Sequence, residues 1–229
     1  MIRHSRNLIK LQSVRYASTK GKENSATENL RLGYLSDAQN AYMDRVIRVD
    51  QAGELGANFI YNGQYLALSH KRPDLKPILK HMWEQEIHHH NTFNNLQVER
   101  RVRPSLLTPL WKVGAMGLGI ATGLMGKEAA MACTEAVETV IGGHYNQQLR
   151  VLTNQFHVDV VNEETGVNTP TVPEEIKDMQ KLVSQFRDEE LEHLDTAVEH
   201  DAHGARPYWL LTEAIKLTCR GAIWTAERV

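Results

Sequence analysis

Phe186-Arg-Asp-Glu-Glu-Leu-Glu-His-Leu-Asp195 holds Glu190 and His193 three residues apart. On a helix that spacing puts a carboxylate and an imidazole on one face. A second such pair, Glu86 and His89, stands in Glu84-Gln-Glu-Ile-His-His-His90. In a chain of 229 residues with 11 histidines, chance alone nearly supplies one Glu-x-x-His. The weight therefore falls on how the rest of the chain is arranged around the two.

Each pair lies in a stretch that reads as a helix, and each such helix follows another. Upstream of Glu86, Ser36-Asp-Ala-Gln39 has the form of a capping box and predicts a helix start at Ser36. Apolar or small residues then recur at Tyr42, Val46, Val49, Gly53, Gly56 and Ile60, at helical steps, with Glu54 beside the stripe. Gly53 and Gly56 are expected either to admit a close neighbouring backbone or only to weaken the helix. Pro73 and Pro77 suit the first turns of the second helix, which runs to about Val98. His88, His89 and His90 fan around that helix, so they cannot all face Glu86. Geometry allows His89 or His90, and the twin motif downstream favours His89.

The second half begins with a helix from Lys127 to about Gln155. Glu138 falls among its apolar residues, an expensive place for an unpaired carboxylate. Glu135 lies close to the same face and competes for the same role. Tyr145 shares the face of Glu138, and His144 precedes it. Residues 156–171 are polar and read as a loop. Thr171-Val-Pro-Glu174 is expected to cap the helix that carries Glu190 and His193. Pro207 then opens a very apolar last helix, expected to pack on the bundle or on a membrane.

Between the halves lies Pro104 to Gly126, whose only charge is Lys112. Its uncharged run Val113–Gly126 is shorter than a membrane span requires, and the segment is expected either as a buried core helix or as one dipping into one leaflet. Gly117-Leu-Gly119 is not a dinucleotide fingerprint: the third glycine falls at position 123, and no strand precedes it. No convincing strand pattern appears anywhere in the chain.

The acids thus run Glu54, Glu86-x-x-His89, Glu138, Glu190-x-x-His193, two copies of one unit. Glu54 and Glu86 are 32 residues apart and Glu138 and Glu190 are 52 apart, the excess matching the polar stretch near 156–171. One glutamate from each of two helices and Glu-x-x-His from each of the other two is the ligand pattern of ferritin-like dimetal carboxylate bundles. Carboxylates bridge and neutralise two divalent ions, and imidazole suits iron. The set does not suit structural zinc, which takes four ligands, mostly Cys and His. Asp50, one turn before Glu54, is a candidate acceptor for the outer N–H of a ligating histidine. Glu189 and Glu192 are read as solvent-facing helix charges. The fold expected is all-α: a ferritin-like four-helix bundle with a di-iron centre, plus an apolar crossover helix and a C-terminal helix.

The net charge of −2, with no basic stripe beyond the N-terminus, argues against a nucleic-acid partner. Cys133 and Cys219 form no metal or disulfide motif and are read as small buried hydrophobes. The first 22 residues carry six Arg or Lys, three Ser and no acid, the composition of a mitochondrial import signal. The expected division is a transit peptide over 1–16, a flexible lead-in over 17–34 and a di-iron domain over 35–229.

From about Arg45 to Val229 the chain resembles the demethoxyubiquinone hydroxylase family, di-iron monooxygenases of ubiquinone biosynthesis. The resemblance rests on Val46-Ile-Arg-Val-Asp-Gln-Ala-Gly-Glu-Leu-Gly-Ala-Asn58, Met82-Trp-Glu-Gln-Glu-Ile-His-His89, Ala130-Met-Ala-Cys-Thr-Glu-Ala-Val-Glu138, His144-Tyr-Asn-Gln-Gln-Leu-Arg150 and Phe186-Arg-Asp-Glu-Glu-Leu-Glu-His193. It implies two iron ions held by Glu54, Glu86, His89, Glu138, Glu190 and His193, with Glu86 and Glu190 bridging. It implies dioxygen and a polyprenylated demethoxyquinone as substrates. His144 and Tyr145 would contact the quinone or help deliver electrons. No flavin, haem or nicotinamide motif is present, so electrons come from an external reductant, NADH directly or a reductase. The resemblance further implies a peripheral site on the matrix side of the mitochondrial inner membrane, reached through 104–126 and 205–229, with a lipid-binding partner protein and other ubiquinone-biosynthesis enzymes. The alternatives are a ferritin-like ferroxidase and a non-catalytic helical lipid-binding scaffold.

Overall fold

The computed structural model describes residues 30–162 and 165–229. The expected transit peptide and the lead-in up to residue 29 lie outside them. Six α-helices carry the described chain: α1 (Asp37–Leu68), α2 (Lys76–Glu99), α3 (Thr108–Met125), α4 (Lys127–Gln155), α5 (Glu174–Glu199) and α6 (Tyr208–Ala226). α1 packs on α2 and α3, and α4 packs on α5 and α6, so the repeat read from the acids is a repeat of three-helix units. α1, α2, α4 and α5 form the all-α, ferritin-like bundle, and its core includes Met43, Phe93, Tyr145 and Phe186.

The helix starts follow local chemistry where the chain supplies it. Ser36 caps α1 and closes the capping box with Gln39. Pro77 sits in the first turn of α2, while Pro73 stays in the preceding turn. The box expected at Thr171 does not form. Pro173 is the N-cap of α5 with no side-chain cap, because Thr171 is taken up as the last residue of a strand.

That strand corrects the expectation of a strand-free chain. β1 (Leu30–Leu32), β2 (Val158–Asn162) and β3 (Asn168–Thr171) form an antiparallel sheet in the order β1-β2-β3. Gly166, at φ 64°, lies in the turn between β2 and β3. The β-branched run Val158-Asp-Val-Val161 was the available signal. The lead-in is therefore paired from Leu30 onward: Leu30 lies opposite Asn162.

The glycines of α1 behave differently from one another. A Cβ on Gly53 or Gly56 would meet nothing within 4 Å, so neither admits a close backbone. The close approach is at Gly63, where a Cβ would lie 2.7 Å from the Ile120 nitrogen of α3. In α3 only Gly119, Thr122 and Gly123 are buried. Small residues let this apolar helix lie hard against α1, while Leu110, Val113, Leu124 and Met125 remain exposed. Among the described residues no helix is long and apolar enough to cross a membrane.

Candidate metal centre

Six side chains converge between α1, α2, α4 and α5: Glu54, Glu86, His89, Glu138, Glu190 and His193, none more than 2% exposed. They form two quartets, Glu54/Glu86/His89/Glu190 and Glu86/Glu138/Glu190/His193, and within each the donor atoms lie within 4.8 Å of one another. Glu86 and Glu190 belong to both. His89 Nδ1 lies 3.0 Å from Glu190 Oε1 and 3.4 Å from Glu54 Oε2. His193 Nδ1 lies 3.1 Å from both Glu86 Oε1 and Glu190 Oε2. Each motif glutamate therefore faces the histidine of the opposite half as well as its own neighbours.

Around the quartets the contacts cross between halves. Tyr61 of α1 donates its hydroxyl to Glu138 Oε1 of α4 at 2.8 Å, and Tyr145 of α4 donates to Glu54 Oε1 of α1. Glu54 and Glu138 each keep one oxygen, Oε2, with no hydrogen-bond partner, and Glu86 keeps both. Glu190 Oε1 and His89 Nδ1 are also unpartnered. Buried acceptors are rarely left this way, since each forfeits its hydration. Here they point at one another, the arrangement expected of a donor set that closes on cations.

The charge balance leads to the same conclusion. Burial drives Glu54 and Glu138 upward, and burial followed by the charge of Glu190 lifts Glu86 to about 8. Burial would raise Glu190 too, but the hydrogen bond with His193 and the close imidazole of His89 hold it down, at about 2. Four carboxylates this close cannot all ionise without compensation. Among the described residues the two histidines are the only basic groups paired with them. Two divalent ions would supply four positive charges, and a set of carboxylate oxygens with two imidazoles fits iron or manganese.

The outer nitrogens define the tautomers. His89 Nε2 donates to Glu189 Oε2 at 2.6 Å, and His193 Nε2 donates to Gln85 Oε1 at 3.0 Å. Each Nδ1 therefore faces the carboxylates, and once deprotonated would offer its lone pair to a cation held there. Glu189 is thus not a solvent-facing charge, although Glu192 is exposed. Asp50 is not the acceptor for either histidine; it accepts from Gln148 at 2.7 Å. Glu135 stands apart from the centre, accepting from Tyr208 at 2.6 Å. His90 turns away from Glu86, and its Nε2 lies 3.4 Å from Gln51. The sequence reading gives Tyr61, Gln85 and Glu189 no part in the centre. Their signal was the repeat: Tyr61 and Tyr145 each stand seven residues after the lone glutamate of their half, and Gln85 and Glu189 each precede a motif glutamate.

Beside the centre lies an apolar cavity of about 720 Å³ between α1, α3, α4 and α6. Gly53, Gly56, Ile60, Leu118, Val137 and Ile215 are among its walls, and no lining residue is charged. Gly53 and Val137 directly precede Glu54 and Glu138. Cys219 also lines it, and burial pushes its thiol up to about 11 and that of Cys133 to about 12, so both stay protonated and inert. Tyr145 is buried and does not line this cavity; its contact is Glu54. His144 instead opens on a second cavity of about 350 Å³, with Gln147, Arg220, Trp224 and Glu227.

The profile of the family "Ubiquinone biosynthesis protein COQ7" matches residues 41–226. The chain is 65% identical over 195 residues to 5-demethoxyubiquinone hydroxylase, mitochondrial, of Saccharomyces cerevisiae, covering 85% of this chain and 82% of that one. It is 44% identical over 195 residues to NADPH-dependent 3-demethoxyubiquinone 3-hydroxylase, mitochondrial, of Homo sapiens, covering 85% and 82%. It is 40% identical over 189 residues to 3-demethoxyubiquinol 3-hydroxylase of Rhodospirillum rubrum, covering 82% and 79%.

Proposed function

We propose that this chain, which belongs to the ubiquinone biosynthesis protein COQ7 family, hydroxylates the ring of a polyprenylated demethoxyubiquinone or demethoxyubiquinol. The reaction takes one dioxygen, two external electrons and two protons; one oxygen atom enters a ring C–H bond and the other leaves as water. The observation that carries this reading is the pair of buried quartets sharing Glu86 and Glu190 beside an uncharged cavity. Glu54, Glu86, His89, Glu138, Glu190 and His193 would hold two iron ions. Bound there, the iron pair supplies dioxygen reduction and oxygen-atom transfer.

The chain's own groups set the conditions. Tyr61 and Tyr145 each occupy one oxygen of a terminal glutamate and leave the other free as a ligand atom. The cavity takes the apolar substrate and excludes water, the usual construction of a small-molecule site. The NADPH in the mammalian relatives' names supports a reduced nicotinamide as electron donor. His144, on the second cavity, is the group through which such a donor would meet the bundle. Gly56→Leu fills open cavity space and is expected to lower kcat/KM by about 10-fold or more. Metal content and Tm should not fall, and unchanged turnover would place the substrate elsewhere.

The site belongs to the matrix face of the mitochondrial inner membrane in this reading, with the import signal removed after Tyr16. The relatives named as mitochondrial support the compartment. α3 and α6 both wall the cavity and expose Val113, Trp209, Leu210 and Leu217. Such a surface seats in one leaflet and takes a lipid-soluble quinone directly. The lipid-binding partner implied by the family resemblance, together with other ubiquinone-biosynthesis enzymes, would meet the chain at that membrane. Trp209→Ser with Leu217→Ser should lower binding to phosphatidylcholine vesicles by about 100-fold or more, each lost side chain being worth about 1.5–3 kcal/mol. Equal sedimentation with vesicles would rule out this face.

The decisive experiment measures metal in the purified protein, then supplies reductant, dioxygen and a short-tailed demethoxyquinone. About two irons per chain and hydroxylated quinone are expected. Mineralised iron without hydroxylation would point to a ferroxidase. Metal-free protein that still supports ubiquinone synthesis in cells would point to a scaffold.

A further inference from the structure

The two halves of the centre correspond residue for residue. Glu54 answers to Glu138, Glu86 to Glu190, His89 to His193 and Tyr61 to Tyr145, with the same offsets from lone glutamate to tyrosine and from motif glutamate to histidine. Even the outer partners correspond, because each histidine is met by the residue before the motif glutamate of the other half. There the match breaks. His193 Nε2 meets the neutral amide oxygen of Gln85 at 3.0 Å, whereas His89 Nε2 meets the carboxylate of Glu189 at 2.6 Å. Gln185 Nε2 holds the other oxygen of Glu189 at 2.9 Å. Among the groups that touch a proposed ligand, this is the exchange that changes charge. The rings against the histidines are neutral, Phe186 at 4.0 Å from His89 and Tyr61 at 5.5 Å from His193.

We propose that Glu189 makes the two metal positions unequal, so that the position built on His89 and Glu54 fills first and holds its divalent ion more tightly than the position built on His193 and Glu138. This rests on the dimetal reading above. A carboxylate accepting the outer N–H strengthens the imidazole as a donor and brings a negative charge toward the ion, and an amide does neither. Glu86 and Glu190 are common to both positions and the tyrosines are matched, so they cannot produce the difference. Glu189 acts through His89 and is a positioning residue.

The test is an anaerobic titration of metal-stripped protein with cobalt(II), read by calorimetry and ligand-field absorption. Two steps are expected, the first tighter by about 10-fold or more. His193→Ala should retain the tight step and His89→Ala only the weak one. Glu189→Gln should weaken the first step by about 10–100-fold and spare the second. Exchanging the partners, Glu189→Gln with Gln85→Glu, should move the tight step to the His193 position, which a merely structural role for Glu189 would not do. If a histidine variant does not fold, the order of filling is read from the paramagnetically shifted imidazole N–H resonances of the parent. Equal steps in the parent, a Glu189→Gln variant that weakens both alike, or an exchange that moves nothing would overturn the inference while leaving a dimetal centre intact. A parent that binds no cobalt would remove the dimetal reading and this inference with it.

Discussion

Glu138→Gln is expected to abolish the second metal position and lower turnover by at least about 100-fold, the upper end of what loss of a mere outer partner does. The metal-free protein should barely notice the change. Burial drives Glu138 well above the usual carboxylate range, which favours the neutral side chain when no metal is bound. Glutamine reproduces a neutral carboxyl in shape and keeps an acceptor for the Tyr61 hydroxyl. The metal-free stability should therefore change by less than about 1 kcal/mol. What is lost is the gain on metal binding, about 2.7 kcal/mol per site at 100 times Kd, or roughly 5–11 °C in Tm for a chain of this size. Two scans of each protein, with and without ferrous ion, check this. A Glu138→Gln protein that gains as much Tm on metal as the parent would show that Glu138 is not a ligand.

Gly119→Ala is expected to have the largest effect on stability of any single methyl group. An added Cβ would run into the Ile60 carbonyl, lying 2.8 Å from its carbon and 2.9 Å from the Ile60 Cα. The obstacle is backbone in mid-helix, so no rotamer relieves it, and α3 must move away from α1. Overpacking of this kind costs about 3 kcal/mol or more, or about 6–12 °C in Tm. The displaced helices include the one that carries Glu54 and two walls of the cavity, so activity should fall as well. Gly56→Ala is the control with the opposite sign. Nothing lies within 4 Å of its added Cβ, and alanine in place of glycine should stabilise the helix by about 0.5–1 kcal/mol. If Gly119→Ala melts within a degree or two of the parent, the close approach of α1 and α3 is wrong.

Those two glycines show where reading the chain stops. Both sit in helices with small residues beside them, yet one abuts backbone and the other opens on a cavity. The capping box at Ser36 formed because its partners are three residues apart on one chain. The similar-looking box at Thr171 failed because a strand from elsewhere claimed that residue. Residues 158–171 read as a polar loop, since acids, asparagines, a glycine and a proline break up their β-branched residues and one pairing partner, β1, lies more than a hundred residues away.

The clustering of the candidate ligands was legible for a different reason. Glu54, Glu86, His89, Glu138, Glu190 and His193 recur at spacings that helices turn into faces, and a duplicated unit repeats its own signal. Helical period is a local property, so the amino-acid order alone determined the bundle, the two halves and which acids belong together. It could not determine what lies across from each acid. That Tyr61 serves Glu138 and Tyr145 serves Glu54, that Glu189 turns inward to His89 while Asp50 turns to Gln148, and that Gly119 bears on Ile60 all depend on contacts between helices. Such contacts are decided when the whole core closes and every buried polar group must find a partner or share a cation.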